Sequence, residues 1–157
     1  ATQEPGVVEL KDGRVLLWVR TGAGELYRAH SEDRGQTWSP FVPMGVATPQ
    51  SPASLERIPD SGELVLVWND HSDLPVAERK LRTPLSVAIS TDEGKTWSAG
   101  QKIEPDPNGW YCYTAMEFTE ENLLLAYVAG TQAPGQRLSA SRITRISLQA
   151  LRQLATE

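Results

Sequence analysis

The chain has 157 residues, about the size of one ordinary domain, with 39% hydrophobic and 22% charged residues, a balance typical of a folded globular protein. No apolar run approaches the roughly 20 residues of a membrane-spanning helix, and no signal peptide is visible, so the sequence leaves the localisation unknown. The net charge of −5 argues against binding to nucleic acid or an anionic membrane.

The first third of the sequence predicts four strands. The runs 7–10 and 14–20 flank a Lys-Asp-Gly turn, and the runs 26–30 and 41–45 follow. Between the last two lies the segment 31–39, which reads Ser-Glu-Asp-Arg-Gly-Gln-Thr-Trp-Ser. Its Asp can accept hydrogen bonds from later backbone amides, its Gly can adopt a positive φ, and its Trp can pack under the turn. This segment therefore predicts a tight turn between two strands.

The same pattern of strands recurs along the chain. The second copy of the S-x-D-x-G-x-T-W-S motif, at residues 90–98, has its Asp 59 residues after the Asp of the first copy. The strands predicted for the second unit are 54–58, 63–69, 85–90 and 101–104, and those for the third are 113–118, 123–129 and 138–145. A repeat of this length indicates blades of a β-propeller.

We therefore predict an all-β fold. It is a partial β-propeller of about three four-stranded antiparallel blades, approximately at residues 4–48, 49–108 and 109–146, with a short C-terminal helix at 147–155. Leucines at helical spacing after a serine predict that helix. A closed propeller needs about four to eight blades, so further blades are expected in a longer protein or in a second copy of the chain.

The repeated motif has one alternative interpretation, because D-x-x-G also resembles part of a calcium loop. Each copy carries only one or two carboxylates and lacks a bidentate Glu at its far end, so the structural turn is favoured and no metal site is predicted. Cys112, the single cysteine, is predicted to pack inside the fold. His30 and His71 have no partners at triad or metal spacing and are predicted to lie at the surface.

The two motifs resemble the Asp-box repeats of the sialidase (neuraminidase) family, whose members are six-bladed propellers. Four further residues resemble the family in order and spacing. Glu4, just before a V-x-E-L strand, is similar to a catalytic glutamate, and Arg20, at the end of the next strand, to an arginine of the site. Arg82, in an R-x-x-L setting, and Tyr113, in a Tyr-Thr-x-Met context, are similar to a second arginine and the nucleophilic tyrosine.

This resemblance implies a glycoside hydrolase that removes a terminal acidic sugar. Tyr113 would be the nucleophile, Glu4 its base, and Arg20 with Arg82 a clamp for the substrate carboxylate. Guanidinium groups bind carboxylates bidentately, and a neutral tyrosine avoids the repulsion between a carboxylate nucleophile and an anionic substrate. A free tyrosine hydroxyl has a pKa of about 10, so it needs a base and nearby positive charge. Tyr111 is an alternative nucleophile.

The resemblance covers only the C-terminal half of the family's propeller. The family's first arginine and its acid/base Asp belong to blades before the matched region, and Val128 stands where the family often has a supporting Glu. The implied protein is a sialidase-like fragment that is inactive as an isolated chain. The alternative is a non-catalytic carbohydrate-binding or scaffold propeller that assembles as a dimer of half-propellers. Either way, the implied partner is an acidic sugar or glycan, and no cofactor or metal is expected.

Overall fold

The computed structural model describes residues 2–59 and 61–155, which form three antiparallel sheets and one helix. The elements are β1 Thr2–Glu9, β2 Val15–Thr21, β3 Glu25–Ser31, β4 Val42–Ala47, β5 Ser54–Arg57, β6 Leu64–Asn69, β7 Leu85–Ser90, β8 Gln101–Glu104, β9 Gly109–Phe118, β10 Asn122–Thr131, β11 Ser141–Ser147 and α1 Leu148–Leu154. A single 3-10 turn, Val76–Glu78, lies between β6 and β7. The first sheet has the order β1-β2-β3-β4, the second β5-β6-β7-β8 and the third β11-β10-β9.

The prediction of an all-β chain made of consecutive antiparallel sheets is confirmed. Strands β7 and β8 have the predicted bounds. The third sheet has three strands in the described part of the chain. Its first strand, β9, begins at Gly109, four residues earlier than predicted, and its last strand, β11, begins at Ser141, three residues later.

The second sheet is covered on both faces, and β6 shows why. Leu64, Leu66 and Trp68 pack into a core shared with the first sheet, whereas Val65 and Val67 pack into a core shared with the third sheet. Successive residues of a strand point to opposite faces, so a strand between two cores is buried at every position and is mostly apolar. All six residues of β6 are accordingly buried.

Both S-x-D-x-G-x-T-W segments form the tight turns that the sequence predicts. In the second copy, Asp92 Oδ1 accepts hydrogen bonds from the Thr96 amide at 2.9 Å and from the Ser90 hydroxyl at 2.8 Å. Asp92 Oδ2 accepts from the Thr96 hydroxyl at 2.6 Å. Gly94 takes a φ of 77°, and a Cβ there would lie 3.7 Å from the Trp97 ring. The turn is thus held from inside by one carboxylate and from below by an indole.

The carboxylates of both turns are stabilised in their charged form. Hydrogen bonds from the hydroxyl and amide of Thr37 lower the pKa of Asp33 to about 2. Burial raises the pKa of Asp92, but hydrogen bonds from Thr96 and Ser90 outweigh burial and bring that pKa to about 2. The internal hydrogen bonds therefore depend on an ionised aspartate.

The predicted C-terminal helix is confirmed as α1. The Ser147 side chain caps it by accepting a hydrogen bond from the Ala150 amide at 3.1 Å. Leu148 and Leu151 are buried in the core between the second and third sheets, so the helix packs across the end of that core. Across residues 2–59 and 61–155, no helix has the length and apolarity needed to cross a membrane.

Two of the three predictions for isolated reactive residues can be judged from burial. Cys112 is buried, which confirms that it packs inside the fold. The surface prediction for His71 is wrong, because its side chain is only 2% exposed. The His71 amide donates to the Ala47 carbonyl at 3.2 Å, and Nε2 lies 2.8 Å from the Thr83 carbonyl oxygen. The loop after β6 is therefore folded back onto the protein. His30 is half-buried, and burial lowers its pKa.

Candidate functional site

Strand β1 is interrupted by a bulge at Glu4. The pairing between β1 and β2 shifts by one residue between Gln3 and Gly6, so that Glu4 and Pro5 together face the single residue Val19. Glu4 has a φ of 51°, in the left-handed region that non-glycine residues seldom occupy. Because an extra residue bends a strand and redirects its side chains, the bulge sets the direction of the Glu4 carboxylate.

Strand β9 carries the same irregularity at Tyr113. Here Tyr113 and Thr114 together face Tyr127 of β10, and Tyr113 has a φ of 56°. The bulge changes which residues of β9 face the core: Tyr111 before it is buried, whereas Tyr113 is 50% exposed. An uninterrupted strand would direct Tyr113 to the same face as Tyr111. The bulge is thus what brings the Tyr113 ring to the surface.

The side chains of the two bulges meet. The Tyr113 hydroxyl donates to Glu4 Oε1 over a long 3.4 Å, and Arg20 Nη2 donates to the same oxygen at 3.1 Å. Arg20 Nη1 donates to the Gln50 carbonyl at 3.2 Å, and the Arg20 side chain is only 10% exposed. One carboxylate oxygen therefore joins a buried cation to an exposed phenol.

Arg82 completes this cluster from the link before β7. Its guanidinium carbon lies 5.6 Å from the centroid of the Tyr113 ring and 5.1 Å from that of Trp110, both within cation–π range. Among residues 2–59 and 61–155, Arg82 forms no ion pair with a carboxylate. Its charge is thus available to an incoming anion.

The connector between the first and second sheets, residues 50–54, forms hydrogen bonds next to each residue of the cluster. Gln50 Nε2 donates to Gln3 Oε1 at 3.3 Å, beside Glu4. The Ser54 hydroxyl donates to the Thr114 carbonyl at 2.5 Å, next to Tyr113. The Ser51 hydroxyl donates to the Asn69 side chain, which donates to the Pro84 carbonyl near Arg82. Residues 50–54 therefore tie the three sheets together beneath the cluster.

The structure brings Glu4, Arg20, Arg82 and Tyr113 into one continuous set of contacts. Glu4, expected just before a strand, lies within β1, and Tyr113, expected to begin a strand, lies within β9. Both differences arise from the bulges. The alternative nucleophile Tyr111 lies outside this cluster: its ring packs edge-on against Tyr127 in the core, and burial raises its pKa.

Beside the cluster lies a cleft of about 410 Å³, and of its lining residues the sequence predicted only Arg82 as part of a site. Its lining includes Gly24, Gln50, Lys80, Arg82 and Trp110. Trp110 also receives a second guanidinium, that of Arg137, at 4.3 Å. The sequence shows a basic loop before β7, an aromatic start of β9 and a basic residue after β10, but nothing in it indicates that these segments meet.

The cluster offers carboxylate, phenol and guanidinium chemistry. In the part of the chain that the structure describes, no group of three or more His, Cys, Asp or Glu side chains could hold a metal ion. Val128 is half-buried opposite Cys112 and contributes no carboxylate. The arrangement can therefore bind an anion through arginine and transfer a proton between tyrosine and glutamate.

Comparisons with known proteins agree with this fold. Residues 1–126 match the BNR repeat-like domain family. A sialidase of Micromonospora viridifaciens is 31% identical over 137 residues, which make up 82% of this chain and 20% of that protein. Among solved structures, the Ruminococcus gnavus intramolecular trans-sialidase has a TM-score of 0.72 at 20% identity, over 94% of this chain and 33% of that one.

The leech intramolecular trans-sialidase is similar to the same degree, with a TM-score of 0.72 at 21% identity over 94% of this chain. The chain spans a fifth of the curated relative and a quarter to a third of these two solved proteins. At such identities the solved structures establish the fold, which confirms the predicted propeller architecture. The chain belongs to the BNR repeat-like family and has the fold of part of a sialidase β-propeller.

Proposed function

We propose that this chain supplies one wall of the active site of a sialidase-like glycoside hydrolase acting on a terminal acidic sugar. Tyr113 is the nucleophile, Glu4 its base, and Arg20 with Arg82 the carboxylate clamp. The observation that carries the proposal is the shared contact of Tyr113 and Arg20 with one oxygen of Glu4. Similarity to the Micromonospora sialidase supports the substrate class.

The proposed chemistry follows from these contacts. The Tyr113 oxygen forms a bond to the anomeric carbon while its proton passes to Glu4, and the glycosidic C–O bond breaks. The leaving oxygen takes a proton from an acid that the resemblance places in a preceding blade. Water later attacks the anomeric carbon and gives its proton back to that acid, while Glu4 returns its proton to the Tyr113 oxygen as the bond to the sugar breaks. Arg20 orients the Glu4 carboxylate by donating a hydrogen bond from Nη2 to Oε1. Arg82 pairs with the sugar carboxylate.

A second candidate function is a carbohydrate-binding propeller without catalysis. It is favoured by Val128, which offers no carboxylate to support a further arginine. In that case two copies of the chain complete a ring, and the exposed Val7 and Val42 of the first sheet and Ile143 of the third lie at the joint. Sedimentation of the chain as a well-folded monomer would contradict this assembly.

Binding is the first test of the proposed function. An unsaturated sialic acid analogue is titrated into the chain by calorimetry, alongside Arg20→Gln and Arg82→Gln. The matched control is Arg145→Gln, which removes an exposed charge from β11, outside the cluster. We expect the two site variants to lose affinity and the control to keep it. Equal affinity in all four proteins contradicts the proposed clamp.

Turnover separates the two candidate functions. A chimera is made in which this chain replaces the aligned segment of the Micromonospora sialidase. Its hydrolysis of a fluorogenic sialoside is then measured. If the chain forms part of a hydrolase, turnover should fall at least about 100-fold in Glu4→Gln, which is the loss expected for a general base. It should fall further in Tyr113→Phe, which lacks the nucleophile. The Arg145→Gln chimera controls for folding. A chimera that binds the analogue without turning over the sialoside favours the non-catalytic candidate.

A further inference from the structure

More positively charged groups lie around Trp110 than one substrate carboxylate could pair with. The guanidinium groups of Arg82 and Arg137 both contact its ring, at 5.1 and 4.3 Å. Lys80 lines the same cleft as Arg82 and Trp110. None of these three cations forms an ion pair with a carboxylate within residues 2–59 and 61–155. Two guanidinium groups thus share the Trp110 ring, Lys80 lines the adjoining cleft, and none of the three has a carboxylate counter-charge within the described residues.

The fold fixes the position of Arg137 rather than leaving it to a free loop. Gln132, at the start of this loop, donates from its amide to the Asn108 carbonyl at 2.9 Å and from its side chain to the Pro107 carbonyl at 2.5 Å. A Cβ on Gly130 would collide with the carbonyl oxygens of Gln136 and Arg137, so only glycine allows the loop to pack this closely. Arg137 is therefore held beside Trp110.

Acidic side chains in the neighbouring segments do not neutralise this charge. Asp106, four residues before Trp110, accepts a hydrogen bond from the Asn108 amide at 2.9 Å. Glu78, in the same loop as Lys80, lines a separate apolar pocket and forms no ion pair within the described residues. Because the whole chain carries a net charge of −5, a local group of unpaired cations is what would attract an anion here.

We propose that Lys80 and Arg137 form a second anion subsite beside Trp110. This inference rests on the proposed function, in which Arg82 is already paired with the carboxylate at the reacting carbon. The substrate class is then an acidic sugar linked to a neighbour that carries a second negative charge, either a carboxylate or a sulfate. Lys80 lines the cleft of about 410 Å³, a volume within the range of about 300–1,000 Å³ usual for ligand pockets, and Arg137 lies on the ring of Trp110, which also lines that cleft.

Calorimetric titration with three sialosides tests the subsite. The sugars are sialic acid linked to lactose, to a second sialic acid and to a 6-sulfated galactose, and each is titrated into the chain, the double variant K80Q/R137Q and the control R145Q. We expect the two dianionic sugars to bind about five- to tenfold more tightly than sialyl-lactose, as two exposed ion pairs would give. This preference disappears in K80Q/R137Q and persists in R145Q.

The outcomes separate this inference from the proposed function. Sialyl-lactose binding that depends on Arg20 but is no weaker than dianionic binding overturns the second subsite alone. A preference that survives in K80Q/R137Q also overturns it. A preference limited to the carboxylate or to the sulfate sugar identifies the anion and supports the subsite. No binding of any sugar contradicts the proposed function and the subsite together. Added salt should reduce the preference, because exposed ion pairs are screened.

Discussion

Glu4 and Tyr113, which are 109 residues apart, lie at equivalent positions of two β-bulges, one in the first sheet and one in the third. Each is the first residue of a two-residue bulge and has a left-handed φ, 51° for Glu4 and 56° for Tyr113. Such a conformation costs a non-glycine residue about 1–3 kcal/mol, so surrounding contacts must hold it. The paired bulges make the Tyr113–Glu4 contact a consequence of backbone geometry as well as of side-chain packing.

Ser54→Ala tests whether the connector positions Tyr113. The variant loses the hydrogen bond to the Thr114 carbonyl, which fixes the second residue of the β9 bulge. We expect the free energy of unfolding to fall by only about 1 kcal/mol, whereas affinity for the sialic acid analogue should fall by more than this loss of stability explains. Denaturant unfolding and calorimetry measure the two quantities.

The control for this prediction is Ser39→Ala, which removes an exposed serine hydroxyl that donates to the Pro40 carbonyl at 3.2 Å. It should affect stability without affecting sugar affinity. If Ser54→Ala and Ser39→Ala bind the analogue equally well, the connector has a purely structural role.

Asp92→Asn should be destabilising at neutral pH and much less so in acid. The hydrogen bonds around Asp92 hold its pKa at about 2, against about 3.9 for an unfolded aspartate. Because the folded pKa is depressed, this contribution to stability is present above pH 4 and is lost as the pH falls from about 4 to 2. Urea unfolding of both proteins at pH 7 and pH 2.5 measures the difference.

The wild-type and Asp92→Asn stabilities should therefore converge as the pH falls. A gap of the same size at both pH values would mean that the ionised carboxylate does not stabilise the turn. Asp33→Asn, in the equivalent turn of the first sheet, should show the same pH dependence, since hydrogen bonds from Thr37 lower the pKa of Asp33 to about 2 as well.

The raised pKa of Tyr127 predicts that the folded protein loses stability in alkali. Burial, followed by its hydrogen bond to Glu104 at 2.6 Å, raises the pKa of Tyr127 to about 12. An unfolded tyrosine ionises near about pH 10. Stability from the protonated Tyr127 is thus full below pH 10 and is lost as the pH rises from about 10 to 12.

Tyr127→Phe should remove that alkaline dependence and cost about 1–2 kcal/mol at pH 7, because the hydrogen bonds to Glu104 and Thr144 are lost. Ultraviolet titration of the phenolates and unfolding at pH 7 and 11 measure both effects. Glu104 keeps its ion pair with Arg142 in the variant, so no charge is left unpaired. A difference between the wild-type and Tyr127→Phe titration curves centred near about pH 10, rather than near pH 12, would show that Tyr127 ionises like a free tyrosine.

Regular parts of the fold were predictable because local patterns set them. Strands β7 and β8 end at turn residues, and Ser147 caps α1 as its position suggested. The bulges were not predictable in this way. A bulge moves the alternation of buried residues from one set of positions to the other, so the sequence around Tyr113 looks like the start of a new strand.

Contacts between segments far apart in the chain could not be predicted from the sequence either. Trp110 lies in β9 and Arg137 in the loop between β10 and β11, and only the folded chain shows that their side chains touch. His71 was misjudged for the same reason: its polar loop suggested exposure, yet the loop folds back and buries the ring. By contrast, the four residues Glu4, Arg20, Arg82 and Tyr113 were found because a family pattern, rather than local physics, linked them.

The two tryptophans of the repeated turns should contribute unequally to stability. Trp97 packs against the core between the first and second sheets, whereas Trp38 is 38% exposed. Trp97→Ala should lower the free energy of unfolding by about 3 kcal/mol, at the low end for truncating a large aromatic residue because the ring is only partly buried. Trp38→Ala should lower it by about 1 kcal/mol. Because both indoles lie under the same kind of turn, each variant is the control for the other in thermal unfolding. Equal losses would mean that the turn alone, and not packing between sheets, sets the contribution of Trp97.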